Sequence, residues 1–166
     1  LTFTVSDPEA HYASYTVRVT AINARAPDAL DIALVRNPMQ SDYMDIFIQV
    51  NEALLPAPTV YVKVGEDSTA IALRSITSSF YTGEYLLDIE HSHGPAGTAR
   101  VIALGTTLSG KAASDTITFN YGVIGKSGGV LAGREKSFKL VVPPDALQGQ
   151  VLFTAIVKHF EAPVSR

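Results

Sequence analysis

Gly105-Thr-Thr-Leu-Ser-Gly110-Lys111 has the Gly-x4-Gly-Lys spacing of a loop that cradles phosphates with backbone N–H groups and a lysine. Its partners are missing. Ala112 stands where a magnesium-binding hydroxyl is needed, and Ser114-Asp-Thr-Ile-Thr-Phe-Asn-Tyr121 alternates as a strand where a helix N-terminus should face the anion. The segment reads as a glycine-bounded hairpin turn. His91-Ser-His93 would put two imidazoles on one face of a strand, with Asp88 and Glu90 close by, a pair suited to Zn²⁺ or Cu²⁺. A structural zinc site needs four protein ligands, so the stronger reading is two solvated loop histidines ahead of Gly94-Pro95. Asp7, Glu9, Asp28 and Asp31 offer hard oxygens to calcium near the boundary between a first hairpin and a middle domain. Calcium takes six to eight oxygens and no dense Asp-x-Asp-x-Asp series is present, so turn stabilisation by Asp7 in a solvated linker is the better account. No other cofactor is expected.

Catalytic chemistry finds little to work with. There is no Gly-x-Ser-x-Gly elbow, and no helix or barrel fixes a pair of carboxylates at a working distance. The absence of cysteine removes thiolate catalysis, Cys-ligated zinc, iron–sulfur clusters and disulfides. The reading is therefore of a chain that is not an enzyme. Tyr43, Tyr61, Phe80, Tyr81 and Tyr85 could form a platform for stacking sugars, against the competing reading of core or rim packing, and no Trp anchors it. A net charge of −3 without a basic stripe argues against nucleic acid. No apolar run nears the roughly 20 residues of a membrane-crossing helix, so no membrane insertion is expected. Leu1-Thr-Phe-Thr-Val has neither the basic flank nor the apolar block of a signal peptide, and without an initiator Met the chain reads as a mature or excised piece.

Period-two alternation governs the elements that must position these residues. In Tyr43-Met-Asp-Ile-Phe-Ile-Gln-Val50 the side chains of Met44, Ile46, Ile48 and Val50 share one face, and Asp45 and Gln49 take the other. That is a strand with one face buried and one wet, as antiparallel sheets require. The same pattern runs through Leu1/Phe3/Val5, Tyr15/Val17/Val19, Val60/Val62/Val64, Tyr85/Leu87/Ile89, Ile117/Phe119/Tyr121, Phe138/Leu140/Val142 and Val151/Phe153/Ala155. Turn formers separate these runs, among them Ser6-Asp-Pro, Pro56-Ala-Pro, Gly65-Glu-Asp-Ser, Ser127-Gly-Gly and Pro143-Pro-Asp. No helix is predicted. The fold class is all-β: an immunoglobulin-like antiparallel β-sandwich with additional flanking strands.

Three segments are predicted. Residues 1–24 form a terminal hairpin, 25–122 hold the seven or so strands of one sandwich, and 123–166 form a partial β domain. Charge sorts with them: 7 basic and 13 acidic groups fall in 1–122, but 6 basic and 3 acidic in 123–166.

Phe3-Thr-Val-Ser-Asp through Tyr15-Thr-Val-Arg-Val-Thr20 resembles the closing hairpin of bacterial extracellular Ig-like and cadherin-like repeats. Ala33-Leu-Val-Arg-Asn-Pro through Ile46-Phe-Ile48 is similar to the first two strands of another such module. Ser127-Gly-Gly-Val-Leu followed by Lys139-Leu-Val-Val-Pro-Pro-Asp-Ala-Leu resembles the opening of ZU5-type β domains and departs at Asp145, where glycine is usual. The resemblance implies an extracellular or cell-surface module with a structural, adhesive or spacer role and no active site.

The function expected is assembly. An edge strand would recruit the terminal hairpin of a neighbouring copy, or of an adjacent β module of the same protein, and head-to-tail contacts would run on as a fibre. The residues expected to carry it are Leu1, Phe3, Val5, Tyr15, Val17 and Val19 at one end and Phe138, Leu140, Val142, Val151 and Phe153 at the other. These ends could equally pack within the chain. The alternative function is a carbohydrate- or ligand-binding β-sandwich of a secreted multidomain protein, with a glycan as partner.

Overall fold

The computed structural model describes residues 2–6, 12–16, 29–37, 39–40, 42–89, 94–133 and 138–157. All regular structure among them is β, every ladder is antiparallel, and there is no helix. The chain forms two compact units, Leu1–Ala26 with Glu161–Arg166, and Pro27–Phe160. In the first, β1 (Thr2–Ser6) pairs with β2 (Tyr12–Thr16) in the register Thr2↔Thr16 to Ser6↔Tyr12.

The second unit packs two sheets face to face. One has the order β3-β4-β8-β7, from β3 (Leu30–Arg36), β4 (Tyr43–Val50), β7 (Arg74–Thr77) and β8 (Phe80–Leu86). The other has the order β13-β10-β9-β5-β6, from β5 (Thr59–Val64), β6 (Asp67–Ile71), β9 (Ala96–Thr106), β10 (Ala112–Ile124) and β13 (Val151–Val157). The alternating apolar residues meet between them. Leu30, Ile32, Met44, Ile46, Ile48, Tyr85 and Leu87 from the first sheet pack with Val60, Val62, Val101, Phe119 and Tyr121 from the second. Truncating a fully buried member such as Ile48 to Ala costs about 2–5 kcal/mol, because lost transfer energy and the cavity add.

Two devices shape this layer. Large side chains on β10 lie opposite small residues on β9: Phe119 pairs with Ala99, and Tyr121 with Gly97. The chain also crosses between sheets within Ala72-Leu73, and Gly83 of β8 makes room for it. A Cβ at Gly83 would meet Ile71 Cγ2 at 2.6 Å and Leu73 Cδ2 at 3.1 Å.

The C-terminal part adds a third layer locally. β11 (Gly129–Ala132) and β12 (Lys139–Val142) make their own hairpin, and β13 then pairs along β10 from Thr118↔Val157 to Ile124↔Val151. A second cluster of Ile124, Leu131 and Val142, with Phe138, Leu147 and Phe153, forms away from the main core. It covers the reverse face of β10, so residues 119–122 are all buried, Asn120 included, whose Oδ1 accepts from Thr98 Oγ1 at 2.8 Å. The boundary expected between 122 and 123 falls inside β10, and Pro27–Phe160 is a single compact unit.

Candidate functional site

A β-sandwich exposes chemistry at its strand edges, and the ladder geometry dictates which backbone groups face outward there. In β3 the odd-numbered residues bond β4, as the flanking Asn37 N to Tyr43 O (2.9 Å) and Asn51 N to Ala29 O (3.0 Å) bonds indicate. Even-numbered residues turn their backbone groups outward, and two side-chain bonds tie this edge to the other sheet. Ile32 N–H donates to Asp115 Oδ2 at 2.7 Å, and Arg36 Nη1 donates to the Leu152 carbonyl of β13.

β13 is a terminal strand of its sheet. The bonds Thr107 N to Lys111 O and Val123 N to Pro95 O direct odd residues of β10 to β9 and even residues to β13. Val151, Phe153 and Ala155 of β13 therefore bond β10, and Leu152, Thr154 and Ile156 turn their backbone groups outward. Arg36 takes the Leu152 carbonyl; no strand pairs with Thr154 or Ile156 among the described residues. The strand Val-Leu-Phe-Thr-Ala-Ile-Val has neither charge nor proline to discourage pairing.

At the opposite flank lie β6 and β7, short and polar, each paired on one side. A groove of about 560 Å³ opens here between β6 and β8, lined by Asp67–Ala72 and Glu84–Leu86. A second, of about 370 Å³, is lined by Tyr61, Ile71, Leu73 and Tyr81.

The residues expected for assembly are dispersed in role. Phe3, Val5 and Tyr15 lie in the β1–β2 ladder, while Leu1, Val17 and Val19 lie outside the described residues. Val142 is buried in the second cluster with Phe138 and Phe153 packed against it, so these three are engaged within the chain. Leu140 and Val151 keep over a third of their surface exposed.

The aromatic residues do not form one platform. Tyr85 is buried in the core, Tyr61 and Tyr81 line the second groove, and Tyr43 lies on the outer face of β4. Phe80 stacks on Phe47, which sequence reasoning passed over, with centroids 6.0 Å apart and planes at 16°. Phe47 shares the outer face of β4 with Asp45 and Gln49, and the β4–β8 register sets it beside Phe80. Burial pushes the Tyr85 hydroxyl up to about 12, with Tyr121, Asp67 and Asp88 adding unfavourable charge, and burial raises Tyr121 as well.

Of the metal candidates, Asp7, Glu9, Asp28, His91 and His93 lie outside the described residues. Asp31 sits in β3 and accepts from Asn51 Nδ2 at 3.4 Å. Among the described residues no three His, Asp or Glu side chains come together to hold an ion. The Gly105–Lys111 segment spans the β9–β10 connection, with Gly110 at φ +82°. No helix among the described residues is long and apolar enough to cross a membrane. Comparison with known proteins finds no matching family model, no similar curated protein and no similar solved structure.

Proposed function

We propose that this chain is a non-enzymatic structural or adhesive module of the extracellular or cell-surface type, which assembles with neighbouring copies or modules by strand complementation along β13. The observation that carries the reading is the outer edge of β13: seven residues, uncharged, without proline, with Thr154 and Ile156 facing out and no strand beside them among the described residues. A two-stranded ladder such as β1–β2 is marginal by itself and gains most by joining a larger sheet, so the hairpin of a neighbour is the natural donor. A contact of that kind repeats without closing and yields a fibre.

The order β3-β4-β8-β7 against β10-β9-β5 corresponds to the two sheets of an immunoglobulin-type sandwich, with β6 and β13 as added edges, and this supports the Ig-like assignment. The ZU5-like opening draws support from local geometry. Gly128, at φ +72°, lies so close to Val142 and Pro143 that a Cβ would sit 2.5 Å from the Val142 carbonyl oxygen. Asp145, standing where that pattern has glycine, holds the left-handed conformation that glycine favours, at φ 62°.

Light scattering and negative-stain microscopy over a dilution series test the proposal. Mass should rise with concentration for the native chain and stay monomeric for Ile156→Lys and Thr154→Pro, the latter removing an outward N–H without touching the β10 ladder. A native chain that remains monomeric at about 1 mM, a concentration that populates even weak specific contacts, refutes it.

A second reading, a glycan-binding module, is supported by the Phe47–Phe80 stack on the outer face of the four-stranded sheet, where Gln49 lies opposite Phe80, and Phe47 and Arg74 flank Thr82. Saturable binding on a glycan array, lost in Phe47→Ala, would favour it over assembly.

A further inference from the structure

The flank between β6 and β8 holds an open groove. β7 pairs with β8 only along Phe80–Thr82, Arg74↔Thr82 being the last pair, because the chain leaves that line at Ala72-Leu73 to enter the other sheet. The ladder ends Val50 N to Ser79 O and Leu87 N to Asp42 O show that odd-numbered residues of β8 bond β4. Glu84 and Leu86 thus direct N–H and C=O to the side where β7 has stopped. On the facing wall, the two-residue turn at Gly65-Glu66 makes Val64/Asp67 the closing hydrogen-bonded pair of the β5–β6 hairpin. Ser68 and Ala70 then face away from β5. Two rows of hydrogen-bonding backbone groups border the 560 Å³ groove, and no strand pairs with either among the described residues.

The groove is also acidic. Asp67 and Glu84 are among its lining residues, Glu66 adjoins it, and no lysine or arginine lines it. Beside the carboxylates, Ile71 and Ala70 offer an apolar stretch.

We infer that this groove binds an extended peptide from a partner polypeptide as an added strand beside Glu84–Leu86, and selects one that carries an arginine or lysine. Backbone bonds to Glu84 and Leu86 would supply the affinity, as in other edge-strand recognition, and the carboxylate at Asp67 would select the cation. This site lies on the edge opposite β13 in the sheet order, so it stands or falls independently of the assembly reading.

The test is NMR titration and amide exchange of the ¹⁵N-labelled chain with the capped peptide Ac-Thr-Ile-Arg-Ile-Thr-NH₂, a sequence the chain itself does not contain, beside the same peptide with Glu for Arg. Saturable shifts should map to Ser68, Ala70, Glu84 and Leu86, with Glu84 and Leu86 exchange slowed about tenfold at saturation. Binding should weaken several-fold when salt is raised to about 0.5 M, and again with the Glu peptide. Asp67→Asn should weaken the Arg peptide several-fold. Leu86→Pro should abolish binding, since it removes an outward N–H and leaves the β4 ladder intact. Absence of saturable shifts at millimolar peptide, shifts confined to Thr154 and Ile156, or equal binding of both peptides overturns the inference.

Discussion

Tyr121 lies over the bare backbone of Gly97, its partner across the β9–β10 ladder: a Cβ at Gly97 would stand 2.5 Å from the phenolic oxygen. The ring fills the space that the glycine leaves, and is itself almost fully buried. Gly97→Ala therefore forces the ring aside in a packed core and should cost about 1–3 kcal/mol, read from the urea midpoint. Because the clash involves Tyr121, Gly97→Ala combined with Tyr121→Leu should lose less than the sum of the two single changes.

Tyr85 and Tyr121 also predict how stability responds to alkali. Both hydroxyls are held above the ordinary tyrosine value of 10, Tyr85 at about 12, and burial is the first cause for each. An unfolded chain releases these protons near pH 10, whereas the folded chain retains them. The contribution to stability is thus fully present below pH 10 and is lost as pH rises toward 12. Denaturant unfolding should show a flat profile to about pH 9.5 and a steep fall beyond it. Tyr85→Phe should flatten part of that fall; an unchanged slope would count against burial as its cause.

Much of the sandwich is legible in the alternation, and its gaps have physical reasons. Met44, Ile46, Ile48 and Val50 are large and strictly alternating, and they form β4 as the pattern predicts. β9 presents Gly97, Ala99, Val101, Ala103 and Gly105 inward, residues too small to write an apolar stripe, because β10 supplies the bulk opposite them. β6 and β7 are edge strands with nearly every residue exposed, so burial imposes no alternation on them. The apolar character of Val151–Val157 is plain in the sequence. Its position at the end of a sheet depends on a return to β10 past an intervening hairpin, a long-range pairing that local pattern does not encode. The β6–β8 groove is less legible still, since it exists because β7 is short.

Asp145 occupies a left-handed backbone position, and its N–H donates to the Lys126 carbonyl at 2.7 Å. Asp145→Gly should raise stability by a few tenths to about 1 kcal/mol by relieving the Cβ penalty. The Lys126–Asp145 ion pair lost in the exchange is 3.8 Å long and exposed on both sides, and contributes little. Asp145→Val, branched at Cβ, should lower stability by about 1–2 kcal/mol. Thermal melts of the three proteins should rank Gly above Asp above Val.

Asp115 joins the two sheets where, among the described residues, no strand pairs with the outer side of β3. Its Oδ2 accepts from Ile32 N–H at 2.7 Å and its Oδ1 from Thr116 N–H at 2.8 Å, so one carboxylate satisfies a donor in each sheet. Ile32 is buried, and water does not readily replace the lost acceptor. Asp115→Ala should cost about 1–3 kcal/mol, the range for a buried donor left without a partner. Asp115→Asn retains an oxygen that can serve Ile32 and should lose less than half as much. Amide exchange separates this local effect from a general loosening. In Asp115→Ala the Ile32 amide should exchange faster by a larger factor than Ile46 or Ile48, which bond within the interior of the same sheet. Equal acceleration at all three would mean that Asp115 acts on the whole sandwich and not on the β3 edge.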